Sequence, residues 1–190
     1  NYWAKNDDNT NQPMTFEDMA KKNSAEYLGW LKLDVDNLGK IFSPENEKLS
    51  ISRYSFISRT LDYFFKSGIN CILSKTSNLD GLREPFYGYV IYSGGDDALI
   101  VGSWDQIINL ASDISQKFSE FSGNSGISIS AGIVITPDKY PLGLAIEKTE
   151  KQLKEAKKNK GKRSVCIFDH PIYFGWEEEP KTLKSILKDI

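Results

Sequence analysis

Asp96 and Asp97 are the residues of this chain whose type and position most clearly suggest chemistry. They follow Gly94 and Gly95 between two runs of β-branched and aromatic residues, a pattern that predicts a β-hairpin. Two adjacent carboxylates beside a buried hairpin cost stability unless positive charge compensates them. A Mg²⁺ ion that carries nucleotide phosphates would supply that charge. Alternatively, Gly and Asp are ordinary residues of a solvent-exposed turn.

A second acidic pair, Asp34 and Asp36, lies at the end of a short apolar segment. Apolar and polar residues alternate from Leu31 to Asp36, which predicts a β-strand with both carboxylates on one face. If this strand lies beside the hairpin, Asp34 and Asp36 approach Asp96 and Asp97 across the sheet. Such a cluster would suit Mg²⁺, which prefers hard oxygen ligands. Alternatively, Asp34 ends the strand and caps the next segment.

Hydrophobic periodicity predicts the strands and helices that would position these acids. Apolar residues alternate where strands are expected and recur at a spacing near 3.6 where helices are expected. We expect strands over 27–35, 127–135 and 165–168, a hairpin over 86–101, and helices over 51–72, 107–121 and 142–158. The apolar stripe of the first helix, which includes Ile51, Tyr54 and Phe65, is expected in the core. This order of elements predicts an α+β fold of the ferredoxin-like type, with an antiparallel sheet and helices packed on it.

Length and composition indicate a folded domain and say little about its ligands. The chain has 190 residues, 39% of them hydrophobic, and a net charge of −2, so no strong overall attraction to nucleic acid is expected. Cys71 and Cys166 are too few for a four-ligand zinc site, and they fit a reducing cytoplasm. No apolar run is long enough to predict a membrane span. We expect a linker or flanking segment over 1–27, a folded domain over 28–170 and the start of a following helical domain over 171–190.

Two motifs of the chain resemble those of nucleotide-polymerising palm domains. The motifs LDVDNLG (33–39) and YSGGDDALIVG (92–102) look like those of class III nucleotidyl cyclases and GGDEF diguanylate cyclases. Over about residues 15–176, the chain is more similar to the second palm domain of the large subunit of type III-A CRISPR effector (Csm) complexes. That resemblance implies that the domain over 28–170 is a palm (GGDD) nucleotidyl cyclase domain, with the ferredoxin-like palm fold, and that it is a cyclic oligoadenylate synthetase. Such an enzyme is a nucleotidyltransferase that converts ATP to cyclic oligoadenylate second messengers and releases pyrophosphate.

The resemblance also implies roles for the two acidic motifs. Asp34, Asp96 and Asp97 would be catalytic and would bind Mg²⁺ or Mn²⁺, while Gly94 and Gly95 would contact the nucleotide. Two such ions can activate an attacking hydroxyl and stabilise a pyrophosphate leaving group. ATP would be the substrate.

A basic stretch near the end of the last helix carries further candidate nucleotide contacts. A solvated helix face with lysines near its C-terminal end explains most of these residues. The resemblance implies that Lys157 contacts triphosphate and that a glycine–basic turn follows it. This chain has one extra residue in that turn, which leaves either Lys162 or Arg163 as the second phosphate contact. Ser52 is a further nucleotide-binding candidate because helix N-termini bind anions, although a capping role explains it equally well.

The resemblance implies a cytoplasmic ribonucleoprotein of antiviral defence, with other protein subunits and guide RNA as partners, target RNA as activator and no membrane. Two alternatives remain open. A GGDEF-like diguanylate cyclase would use GTP, but Asp97 and Ala98 stand where its motif has Glu and Phe. A catalytically silent palm scaffold would bind guide RNA and subunits, but it has no need for repelling carboxylates. His170 is the only histidine, so we expect no HD-type nuclease site in this sequence.

Overall fold

The structure of the chain is a computed structural model that describes residues 4, 12–23, 25–43, 50–74, 85–123 and 127–173. In chain order, its elements are α1 (Phe16–Ala20), β1 (Tyr27–Val35), α2 (Leu38–Ile41), α3 (Ile51–Tyr63), a π-helical turn (Phe64–Gly68), α4 (Ile69–Leu73), β2 (Gly88–Gly94), β3 (Asp97–Ser103), α5 (Trp104–Phe121), β4 (Ile129–Pro137), α6 (Leu142–Lys158), β5 (Ser164–Ile167) and β6 (His170–Tyr173). The predicted C-terminal helical segment lies, from residue 174 onward, outside the described residues. None of the helices in the described ranges is long and apolar enough to cross a membrane.

The six strands form one sheet in the order β2-β3-β1-β4-β5-β6. β1 lies between β3 and β4 and is antiparallel to both. β4 and β5 run parallel, and α6 connects them, because parallel neighbours need a long crossover. The predicted α+β palm fold is therefore confirmed. The sheet differs from the expected one in this parallel pair, and in β6, which extends the sheet beyond the predicted domain end at residue 170.

Both faces of the sheet are covered, and each face of β1 has its own partners. Leu31, Leu33 and Val35 alternate into the main hydrophobic core, which includes side chains from α3, α4 and α5. The opposite face packs against α6 and carries Trp30, whose Nε1 donates to Thr136 Oγ1 at 2.9 Å. Because side chains alternate along a strand, the predicted site residue at position 34 lies on the α6 face.

The predicted long helix is a run of α3, the π-helical turn and α4. Its second half agrees with the prediction, since Leu61 and Phe65 are buried. Its first half does not, because Ile51 is 89% exposed and Tyr54 is 49% exposed. A π-helical turn inserts an extra residue and rotates the apolar stripe, so one 3.6-residue period does not bury both halves.

Residues 12–23 pack on the sheet although they belong to the predicted linker. α1 begins with a capping box, in which Thr15 and Asp18 each accept a hydrogen bond from the other's backbone amide. Met19 is fully buried in a cluster that also contains Trp30. This part of the N-terminal segment therefore belongs structurally to the palm domain.

Candidate active site

The hairpin places its two aspartates next to the end of β1. Strand pairing sets Asp34 opposite Asp97. Gly95 and Asp96 form the two-residue loop, and the backbone amide of Val35 donates to the carbonyl oxygen of Asp96 at 3.0 Å. Gly95 has φ +66°, which favours glycine at this point of the turn. The local sequence thus brings the three predicted acids to one edge of the sheet.

The carboxylate of Asp34 is compensated by a lysine of α6. Lys157 Nζ donates to Asp34 Oδ1, and it also donates to the carbonyl oxygen of Val35 at 3.4 Å. Burial raises the pKa of Asp34, the Lys157 ammonium opposes that rise, and the charges of Asp96 and Asp97 add to it. An ionised Asp34 therefore favours a cation next to it, and in this structure the ammonium group is that cation.

A groove of about 390 Å³ opens at this edge of the sheet. Its walls come from the end of β1, the segment after it, the hairpin loop and the C-terminal end of α6 with the turn that follows. Charged and polar side chains in the lining are those of Asp34, Asn37, Lys40, Asp96, Lys157 and Lys162. Four predicted site residues, two acids and two lysines, therefore meet in one groove.

The carboxylate of Asp97 turns to another partner. Tyr92 Oη donates to Asp97 Oδ2 at 2.9 Å, and burial together with this hydrogen bond raises the pKa of Tyr92, so the phenol stays protonated. In the described part of the chain, no three His, Cys, Asp or Glu side chains are placed to hold one metal ion. A three-carboxylate metal site remains a prediction. The oxygens that surround the Lys157 ammonium nevertheless fit a divalent cation, because the Asp34 carboxylate and the Val35 carbonyl are hard oxygen ligands.

Of the two hairpin glycines, Gly94 lies against Asp62 and Lys66, whereas Gly95 is exposed and has open space around its Cβ position; neither lines the groove. The Gly95 amide donates to Asp62 Oδ1 at 3.0 Å, and Asp62 pairs with Lys66 at 2.9 Å. These two partners lower the pKa of Asp62. A Cβ atom at Gly94 would lie 3.3 Å from Lys66 Cε, so a side chain there would crowd this contact. The nucleotide contacts of Gly94 and Gly95 remain predictions.

Asp36 does not approach the hairpin acids, and that part of the prediction is wrong. Its side chain is fully buried and accepts hydrogen bonds from Ser128 Oγ at 2.6 Å, Ser130 Oγ at 2.8 Å and the Arg163 backbone amide at 3.0 Å. These partners lie on the β4 and β5 side of β1, away from β3. The physical reason is that β1 ends at Val35, so Asp36 lies outside the strand and its side chain does not follow the strand alternation. Two serine hydroxyls and a backbone amide provide the hydrogen-bond donors that its buried carboxylate needs.

The glycine–basic turn after α6 separates its two basic residues. Lys162 lines the groove, whereas Arg163 lines a neighbouring cavity of about 230 Å³ between α5 and β4. Of the two candidates for the second phosphate contact, the groove therefore contains Lys162. Ser52 lies in the exposed first turn of α3, where Ser50 accepts the N-cap hydrogen bond, and it does not line the groove. Its nucleotide role remains a prediction.

Sequence reasoning missed four residues that shape this site. Asn37, with φ 60°, and Lys40 line the groove. Tyr92 holds Asp97, and Asp62 holds the hairpin loop. A usable signal existed for Asn37, because Asn is enriched at positive φ and this one follows the acidic strand directly. No local pattern marks Asp62, because its partner amide lies 33 residues away along the chain.

Comparison with known proteins identifies the family of this chain. A family model described as Cas10/Cmr2, second palm domain, matches residues 27–166. A curated relative is the CRISPR system single-strand-specific deoxyribonuclease Cas10/Csm1 (subtype III-A) of Mycobacterium tuberculosis. It is 38% identical over 176 residues, which cover 87% of this chain and 22% of that protein.

Two similar solved structures are Csm1-Csm4 cassettes, one in complex with AMPPNP and one in complex with cA4. Their TM-scores are both 0.75, with 32% and 30% sequence identity, and each match covers 86% of this chain and 24% of the other. The chain thus spans about a quarter of the length of the relatives that it matches. The resemblance read from LDVDNLG and YSGGDDALIVG is confirmed, and the chain belongs to the family of Cas10/Cmr2 second palm domains.

Proposed function

We propose that this domain is a metal-dependent nucleotidyltransferase that converts ATP to cyclic oligoadenylates and releases pyrophosphate. The observation that carries the proposal is the groove, which collects Asp34 and Asp96 with Lys157 and Lys162 at one edge of the palm sheet. Carboxylates suit a divalent cation, and lysines suit a triphosphate. The relatives solved with AMPPNP and with cA4 support an adenine nucleotide as substrate and a cyclic oligoadenylate as product.

Asp34 and Asp96 would hold Mg²⁺ or Mn²⁺ together with Asp97. The bound metal would activate the attacking hydroxyl and stabilise the leaving group. In this structure Asp97 accepts a hydrogen bond from Tyr92 on Oδ2, which would leave its Oδ1 for the metal. The pKa of Asp34 is raised by burial and by the neighbouring acids, so this carboxylate gains from any cation placed beside it.

Lys157 and Lys162 would neutralise the triphosphate. Lys157 pairs with Asp34 in this structure, so it would have to exchange a carboxylate for phosphate oxygens when a nucleotide binds. Lys162 enters the same groove from the turn after α6. The two lysines therefore approach from different elements, which suits a ligand with several charged oxygens.

The reaction would transfer one adenylyl group per step. A ribose hydroxyl oxygen of one ATP attacks the α-phosphorus of another, a new P–O bond forms, and the bond to pyrophosphate breaks. The hydroxyl proton passes to solvent. Because phosphoryl transfer is catalysed mainly by positioning and charge neutralisation, the two lysines would act on the negative charge that develops on the leaving pyrophosphate. Repetition followed by intramolecular attack would close the ring.

We further propose that the domain acts in a cytoplasmic type III CRISPR ribonucleoprotein. Its partners would be other protein subunits and guide RNA, and target RNA would be the activator. The curated relative is named as a CRISPR system protein of subtype III-A, and the solved relatives contain Csm1 together with Csm4. Both observations support this context.

Product analysis tests the proposed reaction directly. The assembled complex is incubated with target RNA, Mg²⁺ and labelled ATP, and the products are identified by mass spectrometry. We expect cyclic oligoadenylates from the wild type and none from the Asp96→Ala/Asp97→Ala double variant. Asp138→Ala is a matched control, because Asp138 follows Pro137 at the end of β4 that is remote from position 34.

Three outcomes would contradict the proposal in different ways. Undiminished product from the double variant would remove these acids from the active site. Cyclic diguanylate formed from GTP would favour a GGDEF-like cyclase instead. No product from either nucleotide would favour a silent scaffold.

A further inference from the structure

Asp36 is a fully buried carboxylate whose hydrogen-bond donors are hydroxyl and amide groups. Transfer of an ionised carboxylate from water into a protein interior costs free energy, and full hydrogen bonding offsets only part of that cost. A core position between three strands could be filled more favourably by an apolar side chain. Because the buried carboxylate of Asp36 costs free energy, the segment to which it hydrogen-bonds indicates its role.

The segment that Asp36 holds is the turn between α6 and β5. Its carboxylate accepts from the Arg163 amide at 3.0 Å, and Ser130 Oγ, which donates to Asp36, also accepts from the Ser164 amide at 3.5 Å. Lys162 and Arg163 have φ 57° and φ 50°, two consecutive left-handed residues that are not glycine. Such conformations persist only where the surroundings impose them.

The position of Lys162 depends on that turn. Lys162 lines the groove that contains Asp34, Asp96 and Lys157, whereas the next residue, Arg163, lines the cavity on the other side. If the two left-handed residues relaxed to ordinary φ values, the directions of both side chains would change. The turn is fixed by the bond from the Lys162 amide to the Asn159 carbonyl at 2.9 Å, by the bond from Ser164 Oγ to the Lys162 carbonyl at 2.8 Å and by the bond from the Arg163 amide to Asp36. The Arg163 contact therefore contributes to the choice of the basic side chain that enters the groove.

We propose that Asp36 is a positioning residue that fixes the Lys162–Arg163 turn and thereby delivers Lys162 to a bound triphosphate. The inference rests on the proposed nucleotide function, because the groove is the triphosphate site of that proposal. Asp36 acts through Lys162 and does not touch the ligand. It differs in this from Asp34, which lines the groove itself.

The test uses inorganic tripolyphosphate with Mg²⁺ as the probe and isothermal calorimetry on the full-length protein as the measurement. We expect Asp36→Asn to weaken tripolyphosphate binding about tenfold, the size of one lost charged contact to phosphate. Lys162→Ala should cause a similar loss. In a Lys162→Ala background, Asp36→Asn should add less than about a twofold effect, because the residue through which it acts is gone.

Two companion measurements separate positioning from general damage to the fold. Mn²⁺ binding without phosphate should not change in Asp36→Asn, because the side chain of Asp34 and the Val35 carbonyl do not depend on the turn. Ser128→Ala is the milder variant to use if Asp36→Asn does not fold, because it removes only the 2.6 Å bond to the same carboxylate. Its smaller loss should also vanish in the Lys162→Ala background. Lys151→Ala, an exposed position on α6 outside the groove, is the matched control and should bind normally.

The outcomes distinguish this inference from the proposed function. Wild-type binding of tripolyphosphate by Asp36→Asn, or losses for Asp36→Asn and Lys162→Ala that simply add, would overturn the positioning role alone. Failure of the wild type to bind tripolyphosphate at all would overturn the triphosphate site, and the positioning role with it. A tenfold loss that disappears in the Lys162→Ala background would support both.

Discussion

Lys157 allows an experiment in which two ligands respond in opposite directions to one substitution. Its ammonium group lies against Asp34 and the carbonyl of Val35, the oxygens that would face a metal ion. A divalent cation at that point competes with the ammonium group, whereas a triphosphate needs it. We therefore expect Lys157→Met to bind metal alone more tightly than the wild type and ATP more weakly.

The burial of the Lys157–Asp34 ion pair sets the expected gain in metal affinity, and the value of a charged phosphate contact sets the expected loss in ATP affinity. The side chains of Lys157 and Asp34 are 26% and 31% exposed. Exposed pairs contribute about 0.2–1 kcal/mol, and breaking a buried pair costs about 3–5 kcal/mol. An intermediate value of about 1–2 kcal/mol predicts that metal affinity rises about 5–30-fold. Loss of a charge-assisted phosphate contact, about 1.5–3 kcal/mol, predicts that ATP affinity falls about tenfold or more.

Two titrations check this prediction. Mn²⁺ binding without nucleotide is followed by the loss of the free-ion paramagnetic resonance signal, and ATP binding in Mg²⁺ is followed by calorimetry. Lys151→Met, an exposed lysine on the same helix, serves as the control and should change neither affinity. Weaker metal binding by Lys157→Met would refute the competition. Equal losses of ATP affinity in both variants would indicate a diffuse basic face with no dedicated phosphate ligand.

Three further experiments test the hairpin and the two cysteines. Tyr92→Phe removes the hydrogen bond to Asp97, worth about 0.5–1.5 kcal/mol, so Mn²⁺ affinity should fall several-fold; unchanged affinity would mean that Asp97 is not a ligand. Gly95→Ala has open space for its Cβ atom but forces alanine to φ +66°, so the free energy of unfolding should fall by about 1–2 kcal/mol. Thermal unfolding measures this change, and an unchanged melting temperature would contradict the backbone strain. Burial raises the pKa of Cys166 to about 11, so this thiol stays protonated at neutral pH. Alkylation at neutral pH followed by mass spectrometry should therefore label the exposed Cys71 first and Cys166 only after unfolding, and equally rapid labelling of both would contradict the burial.

The sequence predicted the elements whose hydrophobic pattern is local and strong. β1 and α6 have the predicted bounds, because an apolar run that alternates from Leu31 onward marks the strand and a continuous polar–apolar period marks the helix. The long helix was harder, because the π-helical turn changes the period in its middle and leaves Ile51 and Tyr54 exposed. Packing of α1 on the sheet was missed for a related reason, since a few buried residues are hidden in a polar segment.

The candidate site shows the same limit at the level of single side chains. The strand-end motif predicts that Asp34 meets Asp97, and strand pairing agrees. It cannot predict that Lys157 compensates Asp34, because the two residues are 123 positions apart and meet only when α6 crosses the sheet. The choice between Lys162 and Arg163 depends on two positive φ values that a glycine–basic pattern does not specify.

Asp34 and Asp36 make the limit explicit, because the sequence pattern treats them alike. A period of two gives the face of a sheet on which a side chain lies, but it does not give the neighbouring strand toward which that side chain turns. Asp34 still belongs to β1, where it is paired with Asp97 of β3 and Ser130 of β4, and the charges beside it are the hairpin carboxylates and Lys157 of α6. Asp36 follows the end of the strand, where the donors come from the β4 side. The carboxylate of Asp34 therefore lines the groove and can contact a ligand, whereas the carboxylate of Asp36 is buried and contacts only groups of the protein.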